Sequence, residues 1–244
     1  MRFACLLLLS ALSTAAQPLA LHDVYLNGAG PYRMLIDTGN ASSIVRPEVA
    51  RRLNLKTAYT VEHATVAGVR RVPVAILDEV RAGDSADHAV EAMICDVFQT
   101  GVDGVLGESW LVRHDYLLDY RNRRIALDGA AAGFGVRVPL RSPDGRPVVT
   151  ASIDGRTREL VVDSGASAVV LYERPTGFTA QLDANGGSVA AQTCHVRMSL
   201  AGGADRLLQA VRVDARGLGP GLLPASVFGS VYVSNRGGFV EFGK

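Results

Sequence analysis

Two carboxylates in matching surroundings are the residues of this chain best suited to chemistry. Met34-Leu35-Ile36-Asp37-Thr38-Gly39 is an apolar run ending in Asp-Thr-Gly, and Leu160-Val161-Val162-Asp163-Ser164-Gly165 repeats it 126 positions later. Average residue usage yields an Asp-Thr/Ser-Gly about 0.1 times in such a length. Two copies, each closing three apolar residues, point to a duplicated unit in which each copy supplies one carboxylate. Carboxylates held about 3 Å apart cannot both ionise easily. One keeps a proton and can polarise a carbonyl, while the other can take a proton from water.

The elements that would carry these turns repeat as well. Val24-Tyr25-Leu26-Asn27-Gly28 precedes the first motif and Ala151-Ser152-Ile153-Asp154-Gly155 the second, each ending in a hairpin signal. Downstream, Asp103-Gly104-Val105-Leu106-Gly107 with Trp110-Leu111 parallels Pro220-Gly221-Leu222-Leu223-Pro224 with Val227-Phe228. Each half then closes on strand-like segments: Tyr116 to Tyr120 and Ile125 to Leu127, against Val231 to Val233 and Phe239 to Phe242. Other strand signals fall at Val66 to Val80, Ala89 to Val97, Val136 to Leu140 and Val189 to Leu200. Arg81 to His88 reads as a surface turn. A helix is expected over Pro47 to Leu55, with Pro47 in the first turn and Glu48 at the positive end, and a short one after Gly107.

With these residues in place, the chain resembles the aspartic peptidase superfamily in its bilobal arrangement. Asp37-Thr38-Gly39 and Asp163-Ser164-Gly165 match the catalytic turns, and Val105-Leu106-Gly107 matches the element that passes beneath them. The repeats look more like single-lobe retropepsin-type domains of bacterial proteins than like the longer lobes of pepsin. The likeness covers most of residues 21–242 and is weak over 56–95 and 172–215. It implies an all-β fold of two tandem acid-protease-type β-barrel lobes with a central active-site cleft. The expected lobes span 21–128 and 136–244, joined by a small-residue linker over 129–135. It also implies Asp37 and Asp163 as the catalytic pair, supported by Thr38, Gly39, Ser164, Gly165 and Ser167. Glycines permit the tight turns, and the two hydroxyls would bond across the lobe interface. Hydrolysis by direct attack of water needs neither metal nor organic cofactor.

Three departures from the family pattern bear on activity. The hydroxyl residue expected two positions after the glycine is present as Ser167 but replaced by Ala41 in the first lobe, where Ser42 could substitute if the turn is shifted. Without that bond Asp37 would be the proton holder. Pro224 stands where Gly107 stands in the first lobe, which brings a fixed φ and no N–H beneath Asp163. The candidate flap tip, Val66-Ala67-Gly68-Val69, has no tyrosine, and Tyr59 lies upstream.

Composition sets the remaining bounds. At 244 residues, with 48% hydrophobic residues, 26 Gly and 10 Pro, the chain can fill one large domain or two of about 110 residues, and the repeat favours two. A net charge of +1 gives no electrostatic case for nucleic acid or an anionic membrane. Residues 1–16 read as a secretory signal: Arg2, an apolar Phe3 to Leu12, then Thr14-Ala15-Ala16. No membrane span is expected, so the protein is read as exported, periplasmic or secreted, with no long pro-segment. Cys95 and Cys194 could pair there or remain as buried thiols.

Other motifs fail. Gly107-Glu108-Ser109-Trp110-Leu111 lacks the last glycine of a nucleophile elbow. Gly238 to Lys244 has phosphate-loop spacing with no helix to follow. The five histidines have no metal-ligand spacing, and a glycan on Asn40-Ala41-Ser42 would obstruct the site. Two readings stand: an exported aspartic endopeptidase acting on polypeptides as a monomer, or a non-catalytic peptide-binding protein on a degenerate version of the same scaffold.

Overall fold

The computed structural model describes residues 2–4, 18–65, 68–97, 99–129, 133, 135–184, 187–201, 203–215 and 217–243. The signal-segment expectation over 1–16 falls outside the described residues apart from 2–4, which form β1 (Arg2–Ala4).

The first half grows from a hairpin. β2 (Ala20–Leu26) and β3 (Ala29–Ile36) join through Asn27-Gly28, with φ of 50° and 77°. Positive φ at both central residues is what a type I′ turn requires. There follow β4 (Ser43–Val45), α1 (Pro47–Arg52), β5 (Tyr59–Thr65), β6 (Gly68–Ala82), β7 (Ser85–Ile94), β8 (Gly104–Leu106) and α2 (Glu108–Leu111). Pairing runs β6–β2–β3–β8–β4–β7 and returns from β7 to β6, which closes a six-stranded barrel. Closure leaves these strands without open edges.

β9 (Tyr116–Asp119), β10 (Arg124–Leu127) and β11 (Gly135–Pro139) lead to a second ring built to the same plan. It comprises β12 (Val148–Ile153), β13 (Arg156–Asp163), β14 (Val169–Leu171), β15 (Ala180–Ala184), β16 (Gly187–Ser199), β17 (Arg206–Val213) and β18 (Gly221–Pro224). Its hairpin turn, Asp154-Gly155, has the same dihedral signs as Asn27-Gly28, with φ of 50° and 77°. The order β16–β12–β13–β18–β14–β17, closed by β17–β16 pairing, reproduces the first barrel strand for strand. Directions match too: β3 is parallel to β8 and β13 to β18, while β4 is antiparallel to β8 and β14 to β18.

A third sheet joins the halves. β19 (Ser230–Ser234) and β20 (Phe239–Gly243) complete the order β10–β9–β19–β20–β11, antiparallel throughout. Leu118 of β9 lies opposite Val231 of β19, so each half contributes a hairpin to a common sheet. The cores follow from this layout. Leu35, Ile44 and Val105 lie in one apolar cluster, and their counterparts Val161, Val170 and Leu222 in another. Met34, Ile36, Leu106, Leu160, Val162 and Leu223 point the other way, into a larger cluster shared with Leu118, Val231 and Phe242 of the joining sheet. Both faces of β3 and β13 are therefore covered. This explains why each carries three consecutive apolar residues rather than an alternating pattern.

Local differences from the sequence expectations have local causes. α1 stops at Arg52 because Asn54 adopts φ 51°, and Asn54 and Leu55 donate back to Arg51 and Ala50. This is the Schellman arrangement that ends many helices. The polar stretch Arg81 to His88 is mostly strand. Only Gly83-Asp84 turns, since Gly83 takes φ 59° and Ala82 pairs directly with Ser85. Cys95 and Cys194 are both free and half-buried.

Trp110 anchors α2 beneath the first barrel. It is fully buried, donates its indole N–H to Asp87 Oδ2 (2.8 Å) and packs on the His114 ring at 4.7 Å. Trp110→Ala is expected to cost about 3–5 kcal/mol of stability, the range for deleting a large buried ring. Chemical denaturation with an unchanged m-value is the check.

Candidate active site

β3 delivers Asp37 and β13 delivers Asp163 to one place. The parallel neighbours β8 and β18 extend just far enough to brace the turns, with Asp37 N–H donating to Leu106 O (3.1 Å) and Asp163 level with Pro224. Pro224 sits at φ −63°, the angle its own ring imposes. The strand pairing therefore continues beneath Asp163, and the proline causes no break. On the other side Gly107 is required, because a Cβ there would lie 2.3 Å from Ser42 O and 2.6 Å from Asn40 O.

The two turns are tied by a reciprocal set of four hydrogen bonds. Thr38 Oγ1 donates to Val162 O (2.6 Å) and accepts from Ser164 N–H (2.9 Å). Ser164 Oγ donates to Ile36 O (2.7 Å) and accepts from Thr38 N–H (3.1 Å). Each hydroxyl thus uses its donor and an acceptor site on the opposite strand end, and both residues are buried. The Gly39 turn also lies against the opposite carboxylate: a Cβ on Gly39 would come within 2.3 Å of Asp163 Cγ and Oδ2. No side chain fits there.

The carboxylates have parallel backbone support. Asp163 Oδ1 accepts from Gly165 N–H (2.7 Å) and Ala166 N–H (3.1 Å), and Asp37 Oδ1 accepts from Gly39 N–H (3.1 Å), with the Asn40 N–H also favouring the Asp37 anion. Oδ2 of each is buried without a hydrogen-bond partner. The bond from Ser167 to the outer oxygen, implied by the family likeness, is therefore not made to Asp163 Oδ2. The turn closes on Oδ1 and leaves Oδ2 facing Gly39. Nor does Ser42 supply the bond that Ala41 cannot give; its N–H instead donates to Asn40 Oδ1 (3.3 Å). Burial raises the pKa of Asp37 well above the ordinary carboxylate value, and repulsion from Asp163 raises it further. Burial also raises Asp163, to about 6, against the pull of its two backbone N–H groups and of Arg146. Asp37 is the member that more readily holds a proton, and the two titrate as a pair.

Sequence reasoning missed several groups beside this pair. Glu108, directly after Gly107, is buried; its Oε1 accepts from Tyr116 Oη (3.0 Å) and its Oε2 has no partner. Tyr120 Oη is buried without a partner too, within electrostatic reach of both aspartates. Arg146 comes from the loop before β12, is buried, and grips Asp144 through Nε (3.1 and 3.0 Å) and Nη2 (2.5 Å). The signal available in sequence was a charged residue set directly against a buried apolar run, as in Leu106-Gly107-Glu108. The flap-tip residues Val66 and Ala67 lie outside the described residues. The hairpin arms that flank them meet at Thr65 and Gly68. Tyr59 is at the other end of that hairpin, opposite Val74, where burial and a hydrogen bond to Glu91 push its hydroxyl up to about 12.

Comparison with protein families matches residues 22–110 to the family described as aspartyl protease. The matched stretch contains Asp37-Thr38-Gly39 and Val105-Leu106-Gly107 and ends before the second half begins. Comparison with curated proteins finds no match.

Two outcomes are expected. Thr38→Val strands two buried backbone groups, Val162 O and Ser164 N–H. At about 1–3 kcal/mol each, stability should fall by at least about 2 kcal/mol in urea titration. The second concerns pH. A carboxyl that binds its proton more tightly when folded favours the folded state fully below its unfolded pKa, and this contribution is lost as pH rises through its folded pKa. For Asp163 that window runs from 3.8 to about 6. The Asp163 contribution to stability should therefore fall across it, by on the order of 3 kcal/mol. Asp163→Asn should flatten the dependence when melting is followed across that range.

Proposed function

Since residues 22–110 match the aspartyl protease family, we propose that the protein is an aspartic-type endopeptidase in which Asp37 and Asp163 activate one water between them. The observation that carries this reading is the four-bond cross-link of Thr38 and Ser164, which fixes two buried carboxylates from separate halves against each other. Asp163, whose charge is favoured by two N–H donors and by Arg146, takes the proton from water as the water oxygen attacks the scissile carbonyl carbon. Asp37 gives its proton to the carbonyl oxygen. Collapse of the tetrahedral adduct breaks the C–N bond: the leaving nitrogen takes the proton from Asp163, and one hydroxyl of the adduct returns its proton to Asp37 as the new carboxyl forms. Atoms and charge balance without metal or organic cofactor.

Because both halves lie in one chain, the reading needs only a monomer, with lobes over 21–128 and 136–244 and a linker over 129–135. Residues 1–16 act as the export signal in this reading, and unfolded or extended polypeptides are the substrates. A second reading, a peptide-binding protein without turnover, draws on one observation. Ala41 is buried where the family likeness would place a hydroxyl residue beside Asp37, so the first turn has no hydroxyl at that position.

Cleavage of an unstructured protein, scanned from acid to neutral pH with and without a statine-type inhibitor, separates the two. Inhibitable cleavage is expected, with Asp37→Asn and Asp163→Asn each lowering it on the order of 10²–10⁴-fold or more while melting stays cooperative. Full activity in either variant sinks the pair as catalyst, and folded protein inert at every pH favours the binding reading.

A further inference from the structure

Arg146 is the only buried arginine or lysine among the described residues, and it lies beside three buried acids. Its loop crosses from the second half to the first. A Cβ on Gly145 would sit 3.3 Å from Glu108 Cβ, while one on Gly219 would sit 3.8 Å from Arg146 Nη2. The guanidinium is held in place by Asp144, which is itself partly exposed (39%). Its charge acts on Asp37, Asp163 and Glu108 alike. Three buried carboxylates could not ionise together beside a single cation already shared with Asp144, because removing each uncompensated charge from water carries a heavy desolvation penalty.

We propose that Arg146 is a positioning residue for the Asp37/Asp163 pair: clamped by Asp144, it supplies the buried positive charge that lets Asp37, Asp163 and Glu108 carry one negative charge among them, with Glu108 as the member that stays protonated. The proposal rests on reading Asp37 and Asp163 as the reacting pair. Geometry supports the division of roles. Glu108 Oε1 accepts from Tyr116 Oη and its Oε2 has no partner, whereas Asp163 has two backbone N–H groups aimed at it. An anion resides where donors converge. The groups facing the cluster are Tyr116 from β9, Tyr120 from the turn that follows it, Asp144 and Arg146 from the loop before β12, and the two aspartates. Both tyrosine hydroxyls are pushed far up by burial first, so neither competes for the negative charge. Burial raises Glu108 well above the ordinary range, and Asp37 raises it further.

The test is carboxyl ¹³C NMR of the full chain, with Asp and Glu side-chain carboxyls labelled and assigned through Asp37→Asn, Asp163→Asn and Glu108→Gln. Glu108 is expected to stay protonated to above neutral pH. Arg146→Gln should move the first ionisation of the aspartate pair up by about one pH unit or more, and Arg146→Lys should restore most of the shift. Asp144→Asn, at a partly exposed position, should move it down, because the guanidinium is then uncompensated. Opposite signs are the signature of charge; a purely structural role would not produce them. Asp144→Asn also keeps the question answerable if Arg146→Gln does not fold. Superimposable titrations in Asp144→Asn and the parent, or a Glu108 resonance that titrates like an exposed glutamate, would overturn the proposal. Running the cleavage assay alongside separates the two ideas. Opposed shifts without cleavage leave the charge cluster and sink the peptidase, whereas cleavage with unmoved titrations does the reverse.

Discussion

The structure depends on two hydroxyls, those of Thr38 and Ser164, bonding across the boundary between its halves. Each satisfies a carbonyl and an N–H at the end of the opposite strand. Without them, four backbone groups at the ends of β3 and β13 would be buried and unpaired. Buried polar groups without partners cost more than the bonds themselves contribute net. The bonds also run through the residues beside Asp37 and Asp163, so satisfying the backbone and fixing the carboxylates are one event.

The rest of the fold makes that contact possible. Each Asp stands at the end of a strand covered on both faces, with one face in its own half's cluster and the other in the shared core. A strand so enclosed has little freedom to tilt, and the parallel neighbours β8 and β18 fix its register. The joining sheet supplies the second constraint. β9 and β19 pair across the halves, so the barrels are held both by backbone ladder and by the hydroxyl cross-link. Close approach then determines the turn residues. Gly39 is bare because the Asp163 carboxylate occupies the place of its side chain, and Gly107 is bare because Ser42 and Asn40 carbonyls do.

Much of this was legible in the sequence because it is local. The repeated apolar triplet, the Asn27-Gly28 and Asp154-Gly155 turns and the Asp-Thr/Ser-Gly motifs each report backbone geometry within a few residues. Strand limits were less legible where polar residues ride on the end of a hairpin, as in Arg81 to His88. There the alternation of an exposed hairpin resembles a loop until Gly83 is recognised as the start of a tight turn. The fate of Pro224 was not readable either, because whether proline fits depends on the φ that the ladder demands, and here it demands −63°. Least legible were Glu108, Tyr120 and Arg146. They meet only because the chain folds back over more than one element, and no spacing rule connects them.

That last group matters for how the site can hold charge. A pair of carboxylates sealed from water tends to neutralise itself, because burial and mutual repulsion both favour the protonated form. Full protonation would leave no base to take a proton from water. Convergent N–H donors offset part of the penalty at both aspartates, and Ala41 removes a hydroxyl that could have helped Asp37. A buried cation is the remaining way to keep one charge on the pair. Arg146 meets that need at a cost, since a buried guanidinium requires its own partner. Asp144 is that partner, and being partly exposed it retains solvent that a buried acid would lose. The halves differ here in charge, since the sequence carries an arginine just before β12 and none just before β2: a duplicated scaffold that buries one acid per copy needs a single cation for the pair, and one copy is enough to supply it.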